Sequence, residues 1–247
     1  MRASAIEFRL RMFINAAIII LGLWAPWIEP LGLGKRISLL EWLAVQLSRL
    51  GIVPFTTATP VVIITGALIA AVAVALRVSG AAYLGPGTVS HPEMQAGAVV
   101  ADGPYRFVRN PLYLGVWFMV VALAFMMPPT GAVLAIVLIA IFLFRLILAE
   151  ESFLTAKLGE PYKEYLSAVP RLIPRLRTSL PAGVNKPHWT RALLSELTPI
   201  GVFVTLAFLS WSYDHTLMMR SILVFFGASL IARAFMLAAP PDQNSAI

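Results

Sequence analysis

The chain has 247 residues, of which 59% are hydrophobic and 13% charged, and its mean hydropathy is +0.83. Soluble domains carry about 45–50% apolar and about 25% charged residues, so this composition excludes a water-facing globule and makes lipid the solvent. The lack of cysteine excludes disulfides, thiolate metal sites and cysteine nucleophiles. The net charge of +7 reads first as membrane orientation and affinity for anionic headgroups, not as nucleic-acid binding.

A membrane-crossing helix needs about 20 mainly apolar residues. The first candidate, residues 12–28, follows Arg9 and Arg11 and offers no A-x-A-like cleavage site, so it reads as a retained helix, not a signal peptide. Residues 36–50 place Leu39, Leu40, Leu43, Leu47 and Leu50 at helical spacing among polar residues, which predicts an amphipathic helix on the outer surface. Residues 50–76 form the second span, with Pro60 near its start. The tract 110–144 is too long for one helix, and Pro128-Pro129-Thr130-Gly131 breaks it into a helical hairpin. Residues 178–196, with Pro181, Gly183 and Pro187, read as a linker to two further spans, 197–213 and 217–238, the last carrying Arg233 near enough to its end to snorkel.

The expectation is an all-α integral membrane protein of about six transmembrane helices. It divides into an N-terminal part (1–56), a core with the hairpin (57–177) and a C-terminal linker with a helix pair (178–247). With both termini cytoplasmic, only Lys35, Arg36, Arg49 and Arg220 of the 19 basic residues fall outside, as the positive-inside rule requires. The two long inner segments, 78–110 and 145–196, then meet on one face, because a hairpin returns the chain to the side it left. A site there combines residues from both and faces the cytoplasm. The location expected is a multi-pass position in a bacterial inner membrane.

The first inner segment ends Gly103-Pro104-Tyr105-Arg106-Phe107-Val108-Arg109-Asn110-Pro111-Leu112-Tyr113-Leu114-Gly115. Asn110-Pro111 is a helix start, with Asn as N-cap and Pro at the first helical position. It reads either as a capped span alone or, with Arg109, as a site for a carboxylate or phosphate. Gly115, one turn in, permits close approach of a ligand or a helix. The second segment opens with Glu150-Glu151, two carboxylates at the end of a span that are costly unless they reach water, a cation or a ligand. Adjacent helical residues point about 100° apart, so one of the two is expected to face a pocket. Arg145 is five and six positions away and is no local partner. Tyr162, Tyr165 and Leu166 share a helical stripe, read as interfacial anchoring of a surface helix, with pocket lining as the sharper alternative. His91 reads as a polar loop residue, and Asp214-His215 as the polar tip of the last hairpin. No metal site is expected.

The string from Gly103 to Gly115 resembles the G-P-Y-r-x-x-R-H-P-x-Y-x-G signature of the isoprenylcysteine carboxyl methyltransferase and phospholipid methyltransferase superfamily. Glu150-Glu151-x-x-Leu154, then Leu158-Gly159-x-x-Tyr162-x-x-Tyr165 and Val169-Pro170-Arg171, is similar to that family's second block. The resemblance covers about residues 57–176. It implies an integral membrane methyltransferase that uses S-adenosyl-L-methionine and acts on a membrane-embedded or lipophilic acceptor: a phospholipid amine, an isoprenoid-linked carboxylate or a small thiol. It implies that Tyr105, Asn110, Pro111, Tyr113, Leu114, Gly115 and Glu150 contact the cofactor, and that Arg109 with Glu150 or Glu151 serves catalysis or acceptor orientation. The family's usual His is Asn110 here, which keeps a donor and an acceptor but carries no proton near neutral pH.

Two rivals remain. A sterol-reductase-like enzyme would hold the 2′-phosphate of NADPH with a basic cluster, for which Arg171, Arg175 and Arg177 stand ready. A non-enzymatic transporter or assembly factor would show charges buried in mid-span, broken helices or internal symmetry. The sequence shows none of these, since nearly all charges sit at span ends. The oligomeric state is left open.

Overall fold

A computed structural model of the chain describes residues 2–24, 37–84, 94, 99–178, 180–181, 185–212 and 214–238. His91, Lys35, Arg36, Gly183 and the end of the first expected span (25–28) lie outside the described residues, as do the side chains of His215 and Arg233. Among the described residues every regular element is helical. The elements are α1 (Ala5–Arg9), α2 (Arg11–Leu23), α3 (Leu39–Arg49), α4 (Phe55–Leu84), α5 (Pro111–Ala124), α6 (Pro129–Leu158) and α7 (Glu160–Ala168). After these come α8 (Trp189–Ser195), α9 (Leu197–Val204) and α10 (His215–Ala238).

By length and composition α4 and α6 can each cross a membrane, and α8 with the helix beginning at α9 makes a third candidate bent by 69° at the break. At 30 residues each, α4 and α6 are about 45 Å long, more than the roughly 30 Å hydrocarbon core. Pro60 lies in the second turn of α4, where its missing N–H leaves the Thr56 carbonyl without its intrahelical donor. The hairpin falls where the prolines put it: α5 ends at Ala124, α6 starts at Pro129, and the two pack antiparallel around buried Met119, Val120, Ile139 and Leu143.

The amphipathic segment folds as α3, started by a capping box in which Ser38 and Glu41 exchange hydrogen bonds with each other's backbone N–H. It does not lie free on a surface. Its first-turn N–H groups donate to the hairpin turn, Leu39 to the Met127 carbonyl (2.7 Å) and Leu40 to that of Phe125 (3.1 Å). Leu40 and Ala44 pack on Ala58, Val62 and Ile63 of α4. Most of the apolar stripe is therefore covered by protein, Leu50 staying exposed, at the end of the bundle opposite Glu150.

At the other end, α1 closes on the emerging end of α6. Glu7 accepts two hydrogen bonds from Arg145 (2.8 and 2.9 Å), and Arg2 donates to Ser152 Oγ (2.7 Å). Arg145 thus finds its partner across the bundle and not within its own helix.

The segment expected as a linker contains a short helix. Residues 189–195 are α8, whose approach is fixed by the His188 N–H donating to the Ala82 carbonyl (2.9 Å), with Trp189 edge-on to Tyr83. At the break between α8 and α9 stands Glu196, fully enclosed, which accepts from Arg77 Nε (2.6 Å) and Nη2 (2.9 Å) of α4. The absence of broken helices expected from sequence is overturned, while the buried Arg77–Glu196 pair stands at the ends of the expected spans 50–76 and 197–213. A helix interrupted at Glu196 turns its carboxylate onto Arg77, a partner 119 residues away that no local pattern announces.

Candidate functional site

The site is built where the open end of the α5–α6 hairpin meets α7 and the chain after it. Gly103, at φ +52, begins a turn of 3₁₀ helix through Arg106, and a side chain there would overlap Tyr83. Tyr105, in that turn, is buried with its hydroxyl 3.4 Å from the Gly80 carbonyl. Pro111 occupies the first position of α5 as expected, but Asn110 does not cap with its side chain. Asn110 Nδ2 donates instead to the Arg171 carbonyl (3.2 Å) and toward Glu151 Oε1 (3.4 Å).

The two adjacent glutamates divide. Glu151 points inward and is the hub of a clasp: Arg171 donates through Nη2 (2.6 Å) and Nε (3.0 Å) to Oε2, while Arg109 Nη1 lies 3.1 Å from Oε1. Backbone bonds close the same joint, Arg109 N–H to the Pro170 carbonyl (2.9 Å) and Arg175 N–H to that of Phe107 (3.0 Å). The hydrogen bonds of Glu151 hold the Arg171 guanidinium above its already high pKa, so it stays charged at every accessible pH. Glu150, one position earlier, accepts from the Tyr113 hydroxyl (2.7 Å).

Beside the clasp lies a cavity of about 310 Å³, lined on its polar side by Tyr105, Arg109, Asn110, Tyr113 and Glu150, and closed by leucines of α6 and by Tyr162 and Tyr165 of α7. Its volume is at the small end of the ligand-pocket range of roughly 300–1,000 Å³. Arg109 Nε is enclosed and has no hydrogen-bond partner among the described residues, while the residue itself lines the cavity. The phenols of Tyr105, Tyr162 and Tyr165 are all raised above the ordinary tyrosine value by burial, with nearby negative groups adding to the effect, so all three stay neutral donors.

Of the residues singled out from sequence, Tyr105, Arg109, Asn110, Pro111, Tyr113 and Glu150 share this cavity wall. Glu151 stands behind it, in the clasp. Leu114 is not among the lining residues, and Gly115 serves helix approach: a Cβ there would come within 2.5 Å of Arg77 Cγ and 3.1 Å of the Ala73 carbonyl on α4. The surface anchoring read for Tyr162 and Tyr165 is corrected. Both rings are buried, Tyr165 donates to the Tyr105 carbonyl (2.9 Å), and the stripe packs with Leu154, Leu158 and Val169. Sequence reasoning missed Leu84, Val99, Val100 and Leu112 on the wall, and the Arg171–Glu151 pair behind it. Apolar lining leaves no motif, but an Arg two residues after Val169 and opposite an unpaired Glu was a usable signal.

The described residues form a helical bundle, with two or three helices long and apolar enough to cross a membrane and a mixed-polarity pocket at one end. Residues 61–160 match the family model described as phospholipid methyltransferase, over less than half of the chain. The match takes in most of α4, the Gly103 turn, α5 and α6; α7 beyond its first residue, Arg171 and Glu196 lie outside it. No curated protein and no solved structure matches the chain.

Proposed function

We propose that the chain transfers a methyl group from S-adenosyl-L-methionine to a lipophilic acceptor presented from the bilayer. The reading includes six crossing segments and a site on the cytoplasmic face, for which the Lys/Arg distribution is the support. One observation carries it. The segment matched by the methyltransferase family supplies most of a cavity whose wall joins a half-buried carboxylate, a guanidinium and an apolar slot.

That donor set fits the cofactor, which carries a carboxylate, an ammonium and an adenine ring. Arg109, braced by Glu151, brings its positive charge to the cavity wall for the carboxylate. Glu150, fixed by the Tyr113 hydroxyl, attracts the ammonium. Leu154, Leu158 and the rings of Tyr162 and Tyr165 provide the apolar slot. S-adenosyl-L-methionine supplies a methyl group on a sulfonium, activated for in-line displacement. Alignment then accounts for much of the catalysis, and the clasp supplies it by fixing Arg109 and Asn110 against α6. An acceptor that arrives protonated must give up its proton. The tyrosines stay neutral and Asn110 does not titrate, so on this wall Glu150 is the residue suited to receive it.

The structure gives the reductase reading little footing. Arg171 is held by Glu151, Arg175 donates to the Ala168 carbonyl, and none of the three candidate arginines lines the cavity. The broken α8–α9 span and the buried Arg77–Glu196 pair are features a transporter would show, yet the pair is closed on itself by two short hydrogen bonds and acts as packing.

The test is methyl transfer from labelled S-adenosyl-L-methionine into a lipid extract by the reconstituted protein. Arg109→Ala and Glu150→Gln should each lower turnover at least a hundredfold. Full turnover in both variants would refute the placement of the site.

A further inference from the structure

The chain after α7 reads Arg171-Leu172-Ile173-Pro174-Arg175-Leu176-Arg177, and its two largest apolar tips are turned away from the protein. Ile173 is 83% exposed and Leu176 97%, the highest values among the large hydrophobic residues described. They alternate with Arg175 and Arg177, both exposed. The segment is not a loose tail. The Arg171–Glu151 pair, the Arg175 N–H on the Phe107 carbonyl and the Arg175 guanidinium on the Ala168 carbonyl (2.9 Å) hold it from three sides. A tethered strand that keeps two aliphatic side chains in the open is set against something.

Its depth says what. Glu151 lies 22 positions beyond Pro129 in one helix, so the anchor of this segment stands about 33 Å along α6 from the hairpin turn. That distance is one hydrocarbon thickness of roughly 30 Å, which brings residues 171–177 to headgroup level on the face that carries the cavity. Aliphatic tips at this level meet the acyl boundary, and interleaved arginines meet lipid phosphates.

We infer that residues 171–177 form an interfacial anchor, with Ile173 and Leu176 inserted into the leaflet and Arg175 and Arg177 bound to anionic lipid headgroups. The anchor holds the cavity at the membrane surface and enriches anionic lipid beside it. It rests on membrane embedding alone and stands or falls apart from the methyl-transfer chemistry.

The natural chain has no cysteine, so a single introduced thiol can be labelled cleanly. Ile173→Cys, Leu176→Cys and, as an exposed control on α7, Ser167→Cys are each labelled with an environment-sensitive fluorophore. The full-length proteins are then reconstituted in nanodiscs of phosphatidylcholine with or without phosphatidylglycerol. The anchor predicts blue-shifted emission at 173 and 176, quenched by a nitroxide placed shallow on the lipid chain, with water-like emission at 167. Water-like emission at both test positions, or a blue shift that lipid-borne quencher does not reach, would overturn the insertion. Competition between spin-labelled lipids reads the headgroup half: Arg175→Gln and Arg177→Gln should each lower the preference for phosphatidylglycerol about fivefold. An unchanged preference in the double variant would overturn the assignment to anionic headgroups.

Discussion

Glu196 is enclosed on every side and Arg77 is 13% exposed, so the pair joining α4 to the broken span is the test of how the C-terminal helices are held. Glu196→Leu leaves a guanidinium with no carboxylate; Arg77→Leu leaves a carboxylate with no cation. Removing one member of a buried pair costs about 3–5 kcal/mol, whereas replacing both by apolar residues of similar size is often neutral. Arg77 lies nearer the boundary and can recruit water, which puts Glu196→Leu at the lower end, about 3 kcal/mol. Arg77→Leu strands the fully enclosed partner and belongs near the upper end, about 4–5 kcal/mol. The double variant should therefore recover most of the loss, with a coupling free energy of at least about 2 kcal/mol. The assay is unfolding in mixed micelles followed by helix circular dichroism, run as a double-mutant cycle in one lipid composition. Each single variant costing under about 1 kcal/mol, with additive effects in the double, would refute the reasoning. Such a result would mean that the membrane-unfolded chain satisfies these charges as well as the folded one does.

Two further outcomes follow from packing and titration. Gly115→Ala should lower stability by about 1–3 kcal/mol, because its methyl meets Arg77 Cγ and the Ala73 carbonyl where α5 crosses α4; a thermal midpoint equal to that of the parent would contradict the close approach. The raised phenols of Tyr105, Tyr162 and Tyr165 set a sign for pH. Between the unfolded tyrosine value near about 10 and the higher folded values, the unfolded chain loses protons that the folded chain keeps. Stability from this source is present below about pH 10 and falls as pH rises beyond it. Thermal melts from neutral to strongly alkaline pH check this, and a midpoint that rises above pH 10 would contradict the burial of these rings.

What the sequence made legible was local chemistry at helix ends. Pro128-Pro129 marks the hairpin because a proline pair cannot continue a helix, and Pro111 opens α5 for the same reason. The division of Glu150 from Glu151 follows from helical geometry alone. What escaped was long-range. Arg77 looks like an ordinary boundary charge until α8 delivers Glu196 to it; Pro199, whose ring cannot sit against the Ser195 carbonyl four residues back, is the local sign of the break there. Tyr162 and Tyr165 read as surface anchors because a short polar helix with tyrosines has that pattern wherever it sits; only the turn at Gly103 folding onto α7 buries them. Asn110 was placed correctly at the helix start, but its side chain serves the clasp and not the cap.

The central claim is that the cavity beside Glu150 holds S-adenosyl-L-methionine, and calorimetric titration of the purified protein with that cofactor and, in parallel, with NADPH tests it most directly. The account predicts saturable binding of S-adenosyl-L-methionine alone, weakened at least about tenfold by Glu150→Gln, which removes the charge that attracts the ammonium, a charge-assisted hydrogen bond being worth about 1.5–3 kcal/mol. Binding of NADPH alone, or of neither compound, would contradict it.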